Sequence, residues 1–438
     1  MSRRTGTADQ RPPTLIVKIG RYPLHHGAVA AARSLGRLGV PVYAIAEDRF
    51  APLALSRYVR KPFLWSTSGG EDPDVLVEGI RRIGERLDGP VVALATDDEA
   101  AVLLASRRAE LSDIFLLPPV EPALPELLAD KQGLHELCRA HAVPSPETVT
   151  VCSAQQLRAA VDRLGLPVVV KNPAPWSRLV APVVGGTTTL RGPADVSSAE
   201  RALRLTPQGR LLVQEYLPAP EGCQTRDGAV AAADWIAHVY LPIGDGPPLV
   251  FTGIKLRSWP AGGGVTTRGI AAPHPELAAM TAEFCRAIGF RGVADLDWRR
   301  DERDGRLKLV DFNPRVGAQF QLFRTTTGVD VVRALYLDLT GHAVPFGAQI
   351  DGRELVVEHL DALAAVSARL RHRCGSGSLH ASFPHPARRE TAWLAWDDPL
   401  PFAAATMRFA SAAVSRLAGF APRRQAPRPE GWSPPPEP

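Results

Sequence analysis

Residues 295–315 read DLDWRRDERDGRLKLVDFNPR, and this stretch decides the fold. Near its end, polar and apolar residues alternate, which is typical of a β-strand and places Asp311 and Asn313 on one face. Asp297 lies in the preceding run, and the polar segment between the two runs predicts a hairpin turn. Pairing of the two strands would therefore bring Asp297 beside Asp311 and Asn313.

Carboxylates and an amide oxygen in this arrangement are ligands that a hard cation prefers. Magnesium bound to a nucleotide usually takes one or two carboxylates and completes its shell with phosphate oxygens and water. A single aspartate in a hairpin usually does no more than face water, but here Pro314 and Arg315 follow directly. Pro314 ends the strand because it has no backbone N–H, and Arg315 places a cation where a phosphate would lie. The set therefore predicts a metal site formed by Asp297, Asp311 and Asn313.

The hairpin resembles the metal-binding signature of the ATP-grasp superfamily of carboxylate–amine ligases. The resemblance extends from about Thr14 to about Pro401 and is greatest to the branch of D-aspartate ligase-like and predicted carboxylate–amine ligases. It implies an α/β fold, with an N-terminal doubly wound, Rossmann-like pre-ATP-grasp domain, a central ATP-grasp domain of α+β character and a small C-terminal lobe. Similar proteins usually have glutamate at the position of Asp311 and often at that of Asp297. The side chains that carry the carboxylates in this chain are therefore shorter by one methylene group.

The composition fits a globular enzyme of about three domains and argues against several other classes. The chain has 438 residues, of which 45% are hydrophobic and 22% charged, and its formal net charge is only +5. Such a charge does not predict a nucleic-acid-binding protein. Five cysteines without a C-x-x-C pair predict neither a zinc site nor a disulfide framework, and they suit a reducing cytoplasm. Because no signal-like or membrane-spanning run is visible, we expect a cytoplasmic protein without a membrane partner.

The order of predicted elements divides the chain into domains. Strand–helix–strand patterns in the first part predict a parallel sheet. No G-x-G-x-x-G follows the first strand, so a nicotinamide oxidoreductase is poorly supported, and no P-loop motif occurs. The predicted boundaries are 1–13 for a disordered start, 14–122 for the Rossmann-like domain, 123–345 for the ATP-grasp domain, 346–420 for the C-terminal lobe and 421–438 for a disordered, proline-rich tail.

Three segments carry local predictions of their own. Residues 118–128 are rich in proline and predict a linker. Residues 129–143 predict a helix that ends before Pro144. Residues 353–372 have helical spacing throughout.

Two lysines and a pair of glycines are candidates for phosphate binding. Lys171 ends the apolar strand run 168–170, where a lysine is costly unless an anion meets it. Lys131 opens a helix, where a lysine is usually a solvated charge. The resemblance implies that both lysines contact the phosphates of ATP. Gly185 and Gly186 lie where the family has a mobile glycine-rich loop, although such pairs usually mark simple turns.

The segment VQEYLP resembles the hinge through which this family reads adenine. Its candidate residues are Gln214, Glu215, Tyr216 and Leu217. Glu221, just beyond, is the candidate for the ribose hydroxyls, although it is equally typical of a loop carboxylate.

Three further cations are candidates for catalysis. Lys255 and Arg257 alternate with apolar residues, which places both on one strand face, as a solvated strand edge would also do. The resemblance implies that they meet the γ-phosphate or a substrate carboxylate, and that Arg315 stabilises the transferred phosphoryl group. Asp98 falls in a segment similar to a substrate-binding stretch of the family, where packing or capping is the more common role.

The resemblance implies an ATP-dependent ligase that activates a small carboxylate as an acyl phosphate and joins it to an amine, on an amino acid or small peptide. The implied cofactors are ATP and one or two Mg²⁺ ions, for which Mn²⁺ can substitute, and similar proteins are often homodimers. The alternatives are a carboxylase-type or acid–thiol ATP-grasp ligase, and an ATP-binding regulatory protein with a degenerate site. The intact set of cations and carboxylates favours the enzyme. The sequence does not identify the two substrates.

Overall fold

The computed structural model of the chain describes residues 11–22, 24–173, 183–184, 187–206, 209–218, 224–226, 229–231, 234–260, 264–372 and 388–417. Its strands form a five-stranded, a four-stranded and a seven-stranded sheet, together with a two-stranded hairpin. No helix in these ranges is long and apolar enough to cross a bilayer.

The N-terminal sheet is parallel and has the strand order β3-β2-β1-β4-β5. Its strands are β1 (Thr14–Val17), β2 (Val42–Ala46), β3 (Val59–Leu64), β4 (Val91–Ala95) and β5 (Phe115–Leu116). The helices that connect them are α1 (His26–Gly36), α2 (Pro73–Gly84), α3 (Asp98–Ser106) and α4 (Arg108–Leu111). All four residues of β1 are buried, as expected for a parallel strand that is covered on both faces. The predicted doubly wound arrangement is confirmed, and its strand order reverses between β1 and β4, where sheets of this type bind ligands.

A four-stranded antiparallel sheet follows, with the order β6-β9-β7-β8. Its strands are β6 (Thr148–Val151), β7 (Val168–Lys171), β8 (Thr188–Leu190) and β9 (Leu211–Glu215). The helices of this region are α5 (Leu124–Ala129), α6 (Lys131–Ala140), α7 (Ala154–Leu164) and α8 (Pro193–Leu205). Val168 and Val170 pack against α7 and α8 in one apolar cluster. Because side chains alternate along a strand, Lys171 projects from the opposite face.

The largest sheet has seven strands in the order β16-β15-β12-β13-β14-β17-β18, and its neighbours are antiparallel except for β17 and β18. Its strands are β12 (Asp234–Leu241), β13 (Leu249–Trp259), β14 (Val265–Ala271), β15 (Gly292–Arg300), β16 (Leu307–Asn313), β17 (Arg353–Val356) and β18 (Arg388–Thr391). The separate hairpin consists of β10 (Gln224–Arg226) and β11 (Ala229–Ala231).

Helices cover both faces of the largest sheet. On one face, Phe284 of α9 (Pro275–Ala287) packs against Phe312 of β16. The other face packs against α1, α10 (Val331–Leu339) and α11 (Glu358–His372), and a 3-10 turn (Phe320–Leu322) lies there as well. The last helix is α12 (Leu400–Leu417). The N-terminal domain therefore meets the largest sheet through one shared apolar core.

Two predictions near the start of the central region differ from the structure. Residues 118–128, predicted as a linker, contain the start of α5, because Pro125 suits the first turn of a helix. The next helix, α6, begins after Asp130, whose side chain accepts a hydrogen bond from the N–H of Gly133. It ends before Ala142, whose φ of 55° lies outside the helical region, and so it is shorter than predicted.

The described residues of the C-terminal segment add two strands to the largest sheet. Residues 353–372, predicted as one helix, begin with β17, which pairs with β14, and continue as α11. β18 then pairs in parallel with β17. The edge of β14 offers backbone N–H and C=O groups that need partners, which explains why the first residues of this segment form a strand.

A buried ion pair holds the C-terminal segment against the N-terminal domain. Arg33 Nε lies 2.9 Å from Asp398 Oδ2, and the two side chains are 4% and 1% exposed. Arg33 also donates to the Trp393 carbonyl at 2.7 Å. Asp398 accepts hydrogen bonds from the Ser56 hydroxyl at 2.7 Å and from the Arg57 N–H at 2.9 Å. These contacts replace the water that both charges lose on burial.

We expect Asp398→Ala to destabilise the chain strongly, because the guanidinium of Arg33 would remain buried without its carboxylate. The free energy of unfolding should fall by about 3–5 kcal/mol. Urea denaturation followed by circular dichroism measures this change. Glu78→Ala, which removes an exposed ion pair with Arg82 on α2, is the matched control and should change stability by less than about 1 kcal/mol. Equal denaturation midpoints for the two variants would contradict the role given to Asp398.

Candidate functional site

The predicted hairpin is present as β15 and β16, and its register brings the predicted metal ligands together. Asp297 lies opposite Asp311, and Asp295 lies opposite Asn313. The pairing shifts register after Asp297, so that Trp298 lies opposite Leu309 and both side chains belong to the apolar core. Carboxylates and one amide therefore line one face of these two strands.

Lysines neutralise the two opposing carboxylates. The Lys131 ammonium group, at the start of α6, forms an ion pair with Asp311, and Lys255 Nζ, on β13, lies 2.6 Å from Asp297 Oδ2. Burial raises the pKa of Asp311, but Lys131 outweighs burial and lowers this pKa to about 2. Burial alone would lower the pKa of Lys255, but Asp297 reverses the shift and raises it. Asp311 and Lys255 therefore carry their charges at neutral pH.

Lys171 lies at the end of β7, in the cleft between the four-stranded sheet and the β15–β16 hairpin, where the charges of Asp311 and Lys131 act on it. Its Nζ donates to Gln214 Oε1 at 3.2 Å, and the Gln214 amide in turn donates to the Thr148 hydroxyl at 3.1 Å. Burial lowers the pKa of Lys171 to about 8, although the carboxylate of Asp311 acts in the opposite direction. An anion placed beside this amine would raise its pKa again, which is the behaviour expected of a phosphate-binding lysine.

Arg315 joins the N-terminal domain to the largest sheet. Its Nε lies 3.2 Å from Asp98 Oδ1, at the start of α3, and its Nη1 lies 3.4 Å from Asp295 Oδ2. Burial lowers the pKa of Arg315, but Asp98 and Asp295 outweigh burial and raise it. His238 is fully buried 3.3 Å from Asp295 Oδ1, and burial lowers the pKa of its imidazole to about 3. The imidazole is therefore neutral, and Arg315 supplies the positive charge that faces Asp295.

The donor set suits a magnesium ion that is shared with a nucleotide. Within the described residues, no three His, Cys, Asp or Glu side chains form a group that could hold a metal ion without other ligands. Asp297 and Asp311 each face an ammonium cation, which shows that a positive charge fits beside each carboxylate. Asn313 uses its amide nitrogen to donate to the Asp295 carbonyl at 3.3 Å. Asp297, Asp311 and Asn313 would hold a magnesium ion through two carboxylates and an amide oxygen, with phosphate oxygens and water as its further ligands.

The residues of the predicted hinge lie together at the end of β9. Gln214 and Glu215 are the last residues of the strand, and Tyr216 and Leu217 follow it. Glu215 forms an ion pair with Arg303 in the hairpin turn, so this end of the four-stranded sheet is tied to the largest sheet. Three other predicted residues, Gly185, Gly186 and Glu221, lie outside the described residues.

Arg257 contacts the C-terminal segment. On β13 it follows Leu256, which packs against the apolar core, and the pairing with β14 shifts register between Lys255 and Arg257. Its Nη1, however, lies 2.7 Å from Asp361 on α11, and Asp361 also accepts from the Thr267 hydroxyl at 3.1 Å. In the described contacts, Lys255 reaches the metal hairpin and Arg257 does not.

Two residues of this site were missed in the sequence. Asp295 had a signal, because it lies two residues before Asp297 and alternation puts both on one face. His238 had none, because it joins the site only through the pairing of β12 with β15. Asp98 had only a weak local signal, and its contact with Arg315 depends on how the N-terminal domain packs.

The fold is that of solved ATP-grasp enzymes. N5-carboxyaminoimidazole ribonucleotide synthetase, in its ADP complex, matches with a TM-score of 0.58 and 16% identity over 87% of this chain and 91% of that chain. The ADP complex of N5-carboxyaminoimidazole synthetase from Staphylococcus aureus matches with a TM-score of 0.59 and 14% identity over 83% and 87%. The biotin carboxylase domain dimer of Hydrogenobacter thermophilus 2-oxoglutarate carboxylase matches with a TM-score of 0.53 and 15% identity over 77% and 72%.

A sequence relative points to the same superfamily. D-aspartate ligase of Enterococcus faecium (strain Aus0004) is 22% identical over 303 residues, which cover 66% of this chain and 68% of the relative. No protein-family model matches the chain. The chain therefore has the ATP-grasp fold and is similar in sequence to a D-aspartate ligase, and both findings agree with the resemblance seen in its sequence.

Proposed function

We propose that the chain is a magnesium-dependent ligase that uses ATP to join a small carboxylate to an amine. The ion pairs of Lys131 with Asp311 and of Lys255 with Asp297 carry this proposal. Nucleotide phosphates and magnesium bring charges of opposite sign, so they can exchange partners with these residues without leaving a buried charge unpaired. The ADP complexes of the structural neighbours support a nucleotide as the ligand, and MgADP in the biotin carboxylase neighbour supports magnesium.

Positive charge in the cleft would bind the nucleotide phosphates. Lys131 and Lys171 reach it from the side of the four-stranded sheet, and Lys255 reaches it from the largest sheet. Each charge-assisted hydrogen bond to a phosphate contributes about 1.5–3 kcal/mol. The predicted hinge at residues 214–217 would receive the adenine, at the end of β9.

The hairpin would hold the metal. Asp297, Asp311 and Asn313 would bind one or two magnesium ions, and bound magnesium neutralises phosphate charge during phosphoryl transfer. Arg315, which contacts Asp295 beyond these ligands, would stabilise the transferred phosphoryl group and the oxygens of the activated acid.

The reaction would proceed in two displacements. A carboxylate oxygen of the first substrate attacks the γ-phosphorus of ATP, the bond to the bridging oxygen breaks, and ADP leaves. The amine nitrogen then attacks the carbonyl carbon of the acyl phosphate, phosphate leaves with the bonding electrons, and the nitrogen loses a proton to solvent. Phosphoryl transfer requires positioning and charge neutralisation more than a protein nucleophile, and the cleft offers both.

A carboxylase-type reaction is the second candidate, because one structural neighbour was solved with bicarbonate as well as MgADP. Bicarbonate would then take the place of the organic acid. An acid–thiol ligase would differ in the nucleophile, and a regulatory protein would bind ATP without turnover. The homodimer and the cytoplasmic location stay predictions.

We expect Asp311→Asn to lower the rate of ADP release about 100-fold or more, because one magnesium ligand would lose its charge. ADP release is measured with ATP and magnesium against a panel of amino acids, small carboxylic acids and bicarbonate, with hydroxylamine present to trap an acyl phosphate as the hydroxamate. Asp304→Asn, an exposed carboxylate in the turn of the same hairpin, is the matched control and should keep its activity.

The product of this assay separates the candidates. A hydroxamate that forms with one organic acid and requires Asp311 supports the ligase. Release that requires bicarbonate and gives no hydroxamate favours the carboxylase. ATP binding without ADP release across the panel favours the regulatory protein, and absence of ATP binding refutes the whole proposal.

We also expect ATP affinity to fall as the pH rises above about 8, because Lys171, whose pKa is lowered to about 8, becomes neutral there in the free protein. ATP must then restore its proton, so the Kd should increase up to tenfold per pH unit above this value. Lys171→Arg keeps its charge and should show a flat profile over the same range. Calorimetric titrations between pH 7 and 9.5, in buffers of different ionisation enthalpy, measure both the affinity and the proton uptake. Parallel profiles for the two proteins would rule out this role for Lys171.

A further inference from the structure

An apolar cleft lies between the N-terminal domain and the largest sheet. It opens to solvent, and the side chains that line it are mostly apolar. Helix α3 contributes Ala101, Leu104 and Ala105, the connection after β5 contributes Val120, and β15 contributes Val293.

The cleft continues the row of side chains that forms the proposed metal site. Val293, Asp295 and Asp297 alternate along β15 and share one face, with about 7 Å from one to the next. Val293 lines the cleft, while Asp295 contacts Arg315 and Asp297 contacts Lys255. The cleft therefore begins at Arg315, on the side away from Lys255.

Among the described residues that line the cleft, only two are charged, and both carry a guanidinium group. Arg315 lines the end next to the hairpin, and Arg291 donates to the carbonyl of Phe290 at 3.0 Å. Every other side chain among the described residues that line the cleft is apolar. A polar group buried against this lining would lose water without gaining a partner, whereas an apolar group would be stabilised. The cleft thus suits a molecule with one anionic end and an apolar body.

We propose that this cleft holds the apolar body of the carboxylate substrate, with the carboxylate itself at Arg315. The inference rests on the function proposed above and names the substrate class as a monocarboxylic acid with an aliphatic or aromatic body. The acid would extend from the cleft past Arg315 towards the γ-phosphate, since Asp295 and the metal ligands follow in the same row. A dicarboxylic acid such as aspartate, the acid in the name of the sequence relative, fits less well because its second carboxylate would be buried among apolar side chains.

Direct binding tests this inference separately from turnover. The full chain, saturated with ADP and magnesium, is titrated calorimetrically with straight-chain carboxylates from butanoate to octanoate, and with succinate. Affinity should rise roughly three- to fourfold for each added methylene until the cleft is filled. Succinate should bind more weakly than butanoate, which has the same chain length and one carboxylate fewer.

Substitutions of residues that line the cleft test where the alkyl chain of the bound acid lies. Ala105→Leu narrows the cleft and should weaken octanoate binding roughly tenfold or more, with butanoate affected by less than about threefold. Ser106→Leu adds the same side chain at the next, exposed position of α3 and should change neither affinity. Val120→Ala widens the cleft and should extend the chain length over which affinity still rises. Unchanged ADP affinity shows that each variant keeps the nucleotide site folded.

Affinity that rises with chain length, and that Ala105→Leu abolishes while Ser106→Leu does not, supports the assignment. Affinity without chain-length dependence, tighter binding of succinate, or equal behaviour of the two leucine variants overturns it. If ADP is released only with polar acids, the proposed substrate class is wrong, but the proposed reaction is still supported. Binding as expected, combined with no ADP release for any acid, refutes the reaction and leaves the cleft as a site for apolar acids.

Discussion

The structure depends most on the balance of charge across one cleft. Lys131 from α6 and Lys255 from β13 face Asp311 and Asp297 of the β15–β16 hairpin, and burial of any of these charges without a partner would cost several kcal/mol. The four-stranded sheet can therefore pack against the largest sheet only where the charges match. Under the proposed function, magnesium and nucleotide phosphates would preserve the same balance, because a phosphate would replace the carboxylate beside each lysine while the metal replaced the lysine beside each carboxylate. The charges in the cleft are paired without the nucleotide and would remain paired with it.

Arg315 extends this balance into the N-terminal domain. Its guanidinium lies between Asp98 at the start of α3 and Asp295 on β15, so a residue from the Rossmann-like sheet and a residue from the largest sheet share one cation. The apolar cleft starts at the same side chain. Because a guanidinium has several N–H donors in one plane, it can stay hydrogen-bonded to one carboxylate while it donates to another anion. Arg315 therefore connects the Rossmann-like domain directly to the β15–β16 hairpin.

The parts of this architecture that follow from local pattern could be predicted from the sequence, and those that follow from distant pairing could not. The alternation around Asp311 and the apolar run before Lys171 fix strand faces within a few residues, so the hairpin and the place of Lys171 at the end of a strand could be predicted. Residues 353–356 form a strand because they pair with the edge of β14, whereas their helical spacing predicted a helix. Arg257 donates a hydrogen bond to Asp361, which lies 104 residues further along the chain, and a contact over this distance in sequence leaves no local pattern from which to predict it.

Aspartate in place of glutamate on the hairpin has a consequence for the depth of the cleft. Residues directly opposite each other in an antiparallel pair have Cβ atoms about 5 Å apart, and an aspartate carboxylate is bonded directly to Cβ. The charges of Asp297 and Asp311 therefore stay close to the sheet, and cations must approach the sheet to reach them. The long side chains of Lys131 and Lys255 do so, and Lys171 lies close enough for Asp311 to act on its pKa. A site built from the shorter carboxylate thus requires the two sheets to approach closely, and the phosphates of a bound nucleotide would lie correspondingly deep between them.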